Sequence, residues 1–141
     1  MTDGPVFFLD RNLGGLMFPR ALADAGIRAE RHDDHFPQDA ADETWIGEVA
    51  RRGWYALSND KRIHKNPVQR DAVVAAGLGF FVLTGANAPM PVLAANFVQT
   101  FPAVLRFVER TPRPFVASVR RPNLPGRSGR VERLYPRPSR G

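Results

Sequence analysis

Twice in this chain an apolar run stops at a carboxylate followed by cations. Val6-Phe7-Phe8-Leu9 leads into Asp10-Arg11-Asn12, and Trp54-Tyr55-Ala56-Leu57-Ser58-Asn59 leads into Asp60-Lys61-Arg62. Short runs with no polar alternation suit strands covered on both faces, as in a sheet sandwiched between helices. The carboxyl ends of such strands form the edge where connecting loops splay apart and ligands bind. Two acids are thus expected at one working edge.

The remaining chain keeps this alternation. Residues 16–25 predict a helix from Leu16, Leu22 and Ala23, with Pro19 in its first turn and Gly26 as a left-handed C-cap. Residues 27–30 predict a short strand running into a polar loop, Arg31-His32-Asp33-Asp34-His35-Phe36-Pro37. Trp45, Ile46, Val49 and Ala50 mark a helix over 40–52 with Asp39 as its N-cap, and Asn66-Pro67 opens another that Gly77 closes. Residues 78–83 give a further apolar strand. A long helix follows, with Val92, Leu93, Phe97, Phe101, Val104, Leu105 and Val108 on its stripe and a kink expected at Pro102. That stripe reads as core or as the surface of a homodimer. Residues 114–119 predict a last, edge strand. Alternating strand and helix call for an α/β fold: a three-layer sandwich with a mostly parallel central sheet and right-handed crossovers.

Length allows one domain with a sizeable core, placed at 1–119, and a tail at 120–141. The tail holds seven Arg and one Glu, which is the whole net charge of +6, while 1–119 is neutral. Rich in Pro, Gly and Ser with little to bury, it is expected to be mobile. Its charge suits phosphate neutralisation on nucleic acid, although a chain with eighteen Arg and two Lys also fits a GC-rich coding sequence. The absence of cysteine excludes disulfides and thiolate metal sites. No basic region followed by an apolar leader and no run of roughly eighteen apolar residues occurs, so a cytoplasmic protein without a membrane anchor is expected. Dinucleotide fingerprint, P-loop and nucleophile elbow are all missing.

Carboxylates therefore carry the chemistry. On the helix over 40–52, steps of roughly 3.6 residues align Asp42 with Ile46 and Val49, on the face turned to the sheet. A buried, unpaired carboxylate is costly unless something binds it. Asp10, Asp42 and Asp60 together form an oxygen-only set of the kind that selects Mg²⁺ or Mn²⁺ and suits phosphodiester hydrolysis. Lys61, Arg62, His64, Lys65 and Arg70 follow Asp60 closely enough to clamp phosphates. Each acid also has a plainer role. Asp10 can cap the next helix, Asp42 can be a first-turn acid favoured by the helix dipole, and Asp60 can be a turn residue. Loop polarity is sufficient reason for His32, Asp33, Asp34 and His35, and Trp45 and Trp54 read as core anchors.

The layout Phe8-Leu9-Asp10, then Asp42-Glu43-Thr44-Trp45-Ile46 on a helix, then Ala56-Leu57-Ser58-Asn59-Asp60-Lys61-Arg62 resembles the PIN-like domains. It is similar in particular to the compact subgroup of VapC-type ribonuclease toxins. The resemblance covers about residues 5 to 85. It implies a metal-dependent endoribonuclease with Asp10, Asp42 and Asp60 as catalytic, metal-binding acids, an RNA substrate and a small cognate antitoxin. The chain departs from the family in one respect. A further acid, typically Glu on a helix between the first two, has no evident counterpart; Asp33 or Asp34 is the stand-in, with Glu43 and Asn12 as auxiliaries. The other reading of the same layout is a non-catalytic nucleic-acid or protein-binding module.

Overall fold

The computed structural model describes residues 4–13, 15–60, 62–84, 88–121 and 129–136, apart from the side chains of 63 and 64. Strand β1 (Val6–Leu9) is followed by α1 (Met17–Asp24), β2 (Arg28–Arg31), α2 (Asp42–Arg51), β3 (Tyr55–Ser58) and the single turn α3 (Arg62–Lys65). Then come α4 (Pro67–Ala76), β4 (Gly79–Leu83), α5 (Met90–Arg110), β5 (Phe115–Arg120) and β6 (Arg130–Tyr135). The sheet order is β2-β1-β3-β4-β5-β6, parallel except for the last pair. The order reverses between β1 and β3, and a reversal of this kind opens a crevice at the carboxyl edge.

Strand parity divides the core in two. Phe7, Leu9, Tyr55, Leu57, Phe81, Leu83, Phe115, Ala117 and Val119 face α1 and α5. The residues between them, Phe8, Ala56, Phe80, Val82 and Val116, face α2 and α4. Both faces are apolar because both are covered, which makes the unbroken runs seen in the sequence intelligible. The same parity assigns Asp10 and Ser58 to the α2 and α4 side, two residues beyond Phe8 and Ala56.

Handedness departs from expectation. The units β3-α4-β4 and β4-α5-β5 step the same way across the sheet, yet α4 and α5 lie on opposite faces. The two crossovers must therefore have opposite hands. Phe81, Phe115 and Val119 would otherwise lack a cover, since α1 lies beside the β1–β2 end and α2 and α4 occupy the other face. Burying that apolar surface outweighs the usual preference for right-handed crossovers.

Several local expectations are corrected. Within α1, Phe18 and Leu22 are buried, whereas Leu16 is 78% exposed. Asp39 does not cap α2: Ala41 holds the cap position, and Asp42 and Glu43 supply negative charge to the first turn instead. The polar segment after β2 is not wholly a solvent loop, because His32 is fully buried against Phe8 and Phe36. Residues 115–120 form an inner strand, all buried but Arg120. The edge belongs to β6, which comes from the segment expected to be mobile and pairs antiparallel with β5. Arg120 and Glu132 form an ion pair across that pairing, and Arg70 stacks on the Tyr135 ring. Tail residues 122–128 and 137–141 lie outside the described residues.

Other expectations agree with the structure. Gly26 and Gly77 both have positive φ, and Asn66 accepts a hydrogen bond from the Val68 amide at 2.9 Å. Asn66→Ala is expected to lower stability by about 1 kcal/mol, the usual value of a side-chain cap, as read by urea unfolding. By length and composition α5 could cross a membrane. Of its expected stripe, Leu93, Phe97 and Val104 are buried core, Phe101, Leu105 and Val108 are partly buried and Val92 is exposed. Ala94 and Phe107 complete the buried face, and Pro102 lies inside the helix.

Candidate active site

At the carboxyl edge lies a cavity of about 460 Å³, lined by Asp10, Arg11, Asn12, Asp42, Trp45, Asp60, Arg62, Asn66 and Gln69. It opens where β1 and β3 end side by side. The ladder extends one step past β1, through a 3.1 Å hydrogen bond from the Asp10 amide to Leu57 O. This bond sets Asp10 beside Ser58.

Asp10 is only 8% exposed. Its Oδ1 accepts the Asn12 amide at 2.9 Å, and its Oδ2 accepts the Ser58 hydroxyl. Ser58 Oγ in turn accepts the Asp60 amide at 3.0 Å, so one hydroxyl links the two strand-end acids. Burial pushes the Asp10 carboxyl above its ordinary value, and the charge of Asp60 adds to that shift. The Ser58, Asn12 and Leu13 hydrogen bonds oppose it without cancelling it. The plainer role of Asp60 as a turn residue is realised, its Oδ1 accepting the Arg62 amide at 3.0 Å. Asp10 does not cap α1, whose N-cap is Leu16; its side chain instead accepts the Asn12 amide in the 3₁₀ turn Arg11–Leu13.

Asp60 is held by Arg62, whose Nε donates to Oδ1 and Nη2 to Oδ2, each at 3.1 Å. That fork is the main reason the Asp60 carboxyl lies below its ordinary value. Asp42 enters the cavity from the first turn of α2. Trp45 Nε1 donates to its Oδ1 at 3.0 Å, Gln69 donates to its Oδ2, and Arg11 Nη2 lies 3.9 Å from Oδ1.

A linkage prediction follows from Asp10. Its raised pKa means that the folded state binds the proton more tightly than the unfolded state does. Stability is therefore lost as pH rises from about 3.8 through the folded value. In chelator, Asp10→Asn is expected to unfold at a higher temperature than the parent at neutral pH, with the difference closing towards pH 3 to 4, where an unperturbed Asp protonates. Thermal unfolding across pH checks this; a variant less stable at neutral pH contradicts it.

The structure brings Asp10, Asn12, Asp42, Asp60 and Arg62 together. It does not bring in the others. Asp34 is exposed, paired with Arg31 at 3.6 Å, and is not part of the cavity lining. Asp33 is also exposed, 3.5 Å from His32 Nδ1, and lies off the cavity lining. Glu43 is exposed one step round α2 from Asp42, and Lys65 is exposed on α3. Arg70 is turned to Tyr135, 4.7 Å from the ring centroid. Lys61 and the side chain of His64 lie outside the described residues.

Arg11, Ser58, Asn66 and Gln69 were missed in the sequence, as was the polar role of Trp45. Spacing could have suggested some of them. Ser58 shares strand parity with Asp60, Trp45 follows Asp42 by one helical turn, and Gln69 follows Asn66 by the same interval.

The family pattern of the PIN like domain matches residues 5–85, more than half of the chain. The chain belongs to the PIN-like domain family. Among curated relatives of this PIN-like chain is one from Mycobacterium tuberculosis named "Putative ribonuclease VapC45". The two are 32% identical over 123 residues, which cover 84% of this chain and 88% of the relative. Asp10, Asp42 and Asp60 all lie inside the matched PIN-like region.

Donor chemistry suits the divalent cation that the PIN-like resemblance implies. Asp10 and Asp60 are linked carboxylates, Asp10 is nearly buried, and no cation is among the hydrogen-bonding partners that Asp10 has on the described residues. Spacing is a separate matter. Among the described residues no three His, Asp or Glu side chains converge as a ready metal cluster. Trp45 and Gln69 donate to the two oxygens of Asp42, and Arg62 covers both oxygens of Asp60.

Proposed function

We propose that this chain is a metal-dependent endoribonuclease, the toxin of a toxin-antitoxin pair acting in the cytoplasm. The observation that carries this reading is that three acids from separate elements, Asp10, Asp42 and Asp60, line one cavity at the switch point of the sheet. The ribonuclease name of the curated relative supports the substrate class, and its VapC designation supports a small antitoxin as partner.

Asp10, Asp42 and Asp60 would hold Mg²⁺ or Mn²⁺, and a cation held by them would supply an activated water and charge stabilisation for phosphodiester hydrolysis. The protein does the rest through its own side chains. Ser58 orients the buried Asp10, Trp45 and Gln69 fix the rotamer of Asp42, and Arg11 and Arg62 give the cavity its cationic rim for RNA phosphates. Asn66 and Gln69 are the neutral polar groups on the wall formed by α4, suited to sugar and base edges.

The test is cleavage of total RNA by purified, antitoxin-free protein with Mg²⁺, with Mn²⁺ and with chelator. Discrete products that vanish with chelator are expected. Folded protein that yields no products under either metal would overturn the reading and favour a binding module. Products that persist in chelator would overturn the metal dependence alone.

A further inference from the structure

The contact between Arg62 and Asp60 has more in it than a phosphate clamp requires. Arg62 contributes three hydrogen bonds to one carboxylate, its backbone amide at 3.0 Å and the two guanidinium nitrogens at 3.1 Å. Both oxygens of Asp60 are covered by the fork. Yet Arg62 is 88% exposed, so little packing holds the guanidinium there. Beside it, Asp10 is nearly buried and hydrogen-bonded to a hydroxyl and backbone amides, not to a cation.

Guanidinium binds carboxylate and phosphate with the same planar geometry. A phosphodiester entering the cavity therefore competes with Asp60 for the same two donors. When Arg62 turns to the phosphate, Asp60 loses its counter-charge next to the uncompensated Asp10, and two adjacent carboxylates then need a cation. In the opposite direction, a cation bound at Asp60 expels Arg62 and frees its donors.

Resting on the metal and RNA reading above, we propose that Arg62 is the internal counter-ion of Asp60 and exchanges from that carboxylate to an RNA phosphate. Divalent metal and RNA consequently strengthen each other's binding. Linkage makes the effect reciprocal: whatever factor RNA adds to metal affinity, metal adds to RNA affinity. Without nucleic acid the site disfavours metal, which makes loading depend on substrate.

The test is Mn²⁺ binding by calorimetry to the full chain, as parent, Arg62→Ala, Asp60→Asn and the double variant. Binding of a labelled single-stranded DNA oligonucleotide, a phosphate-backbone probe, is then measured with and without Mn²⁺. Arg62→Ala is expected to bind Mn²⁺ about fivefold more tightly than the parent, the scale of one exposed ion pair. The gain should be absent in the Asp60→Asn background, which isolates the pair. Mn²⁺ should tighten oligonucleotide binding to the parent and leave that of Arg62→Ala unchanged. Arg62→Gln, which keeps most of the side chain but not the charge, should behave like Arg62→Ala. Equal or weaker Mn²⁺ binding by both folded Arg62 variants overturns the counter-ion role alone. Absence of Mn²⁺ binding by every protein overturns the metal reading, and this inference with it.

Discussion

Asp60→Asn is expected to cleave RNA at least about a hundredfold more slowly than the parent chain, the scale on which losing one charge-stabilising group slows an enzyme. The substitution changes one atom and keeps the volume. The Asn carbonyl can still accept the Arg62 amide, so the turn after β3 is preserved. What disappears is the negative charge that faces the cavity and balances a cation. Asp10→Asn should lose activity on the same scale, but its stability should differ, because a buried carboxyl with a raised pKa is replaced by a neutral amide. The pair of variants therefore separates chemistry from folding. A folded Asp60→Asn protein that cleaves RNA at the parental rate would contradict the site.

The second large effect is expected in the core. Phe7 is fully buried, and its ring lies 5.6 to 6.0 Å from those of Tyr55, Phe81, Phe97 and Phe101. It joins three strands to α5, so truncation leaves a cavity that several rigid rings border. Phe7→Ala should lower unfolding free energy by about 3–5 kcal/mol, as read by urea denaturation. That is a large share of the ~5–15 kcal/mol typical of a domain. Activity per folded molecule should change little, because Phe7 points to the α1 and α5 side and the acids to the other. A loss below about 1 kcal/mol would mean that the surrounding rings can close the space.

Much of this molecule could be read before its fold was known, for identifiable reasons. The apolar runs at 6–9, 55–58 and 79–83 became central strands because no other arrangement covers a segment that is apolar on both faces. The caps at Gly26, Asn66 and Gly77 are local conformational preferences and needed no distant partner. Asp42 could be placed by helical phase, and it lines the cavity beside Trp45.

Other features depended on partners far away in sequence. Residues 130–135 carry two Arg and a Glu among Val131, Leu134 and Tyr135 and sit in a Pro-, Gly- and Arg-rich tail, yet β5 offers them an open row of backbone donors and acceptors and a counter-ion at Arg120. His32 is polar by type but buried because Phe8 and Phe36 enclose it. Asp34 and Glu43 were the auxiliaries suggested by the resemblance, but Asp34 is exposed and paired with Arg31, and Glu43 is exposed in the first turn of α2.

The sequence by itself determined the alternation of strands and helices, the local caps, and three acids at the ends or starts of elements, since these depend on near-neighbour periodicity and conformational preference. Only the tertiary structure decided the opposite hand of the last crossover, the pairing of β6, and the partners of each acid: Ser58 with Asp10, Trp45 and Gln69 with Asp42, and Arg62 with Asp60. Most of these depend on which distant surfaces meet, and burial and charge compensation are properties of the assembled whole. Even the local contact between Asp60 and Arg62 takes its meaning from Asp10, fifty residues earlier in the chain.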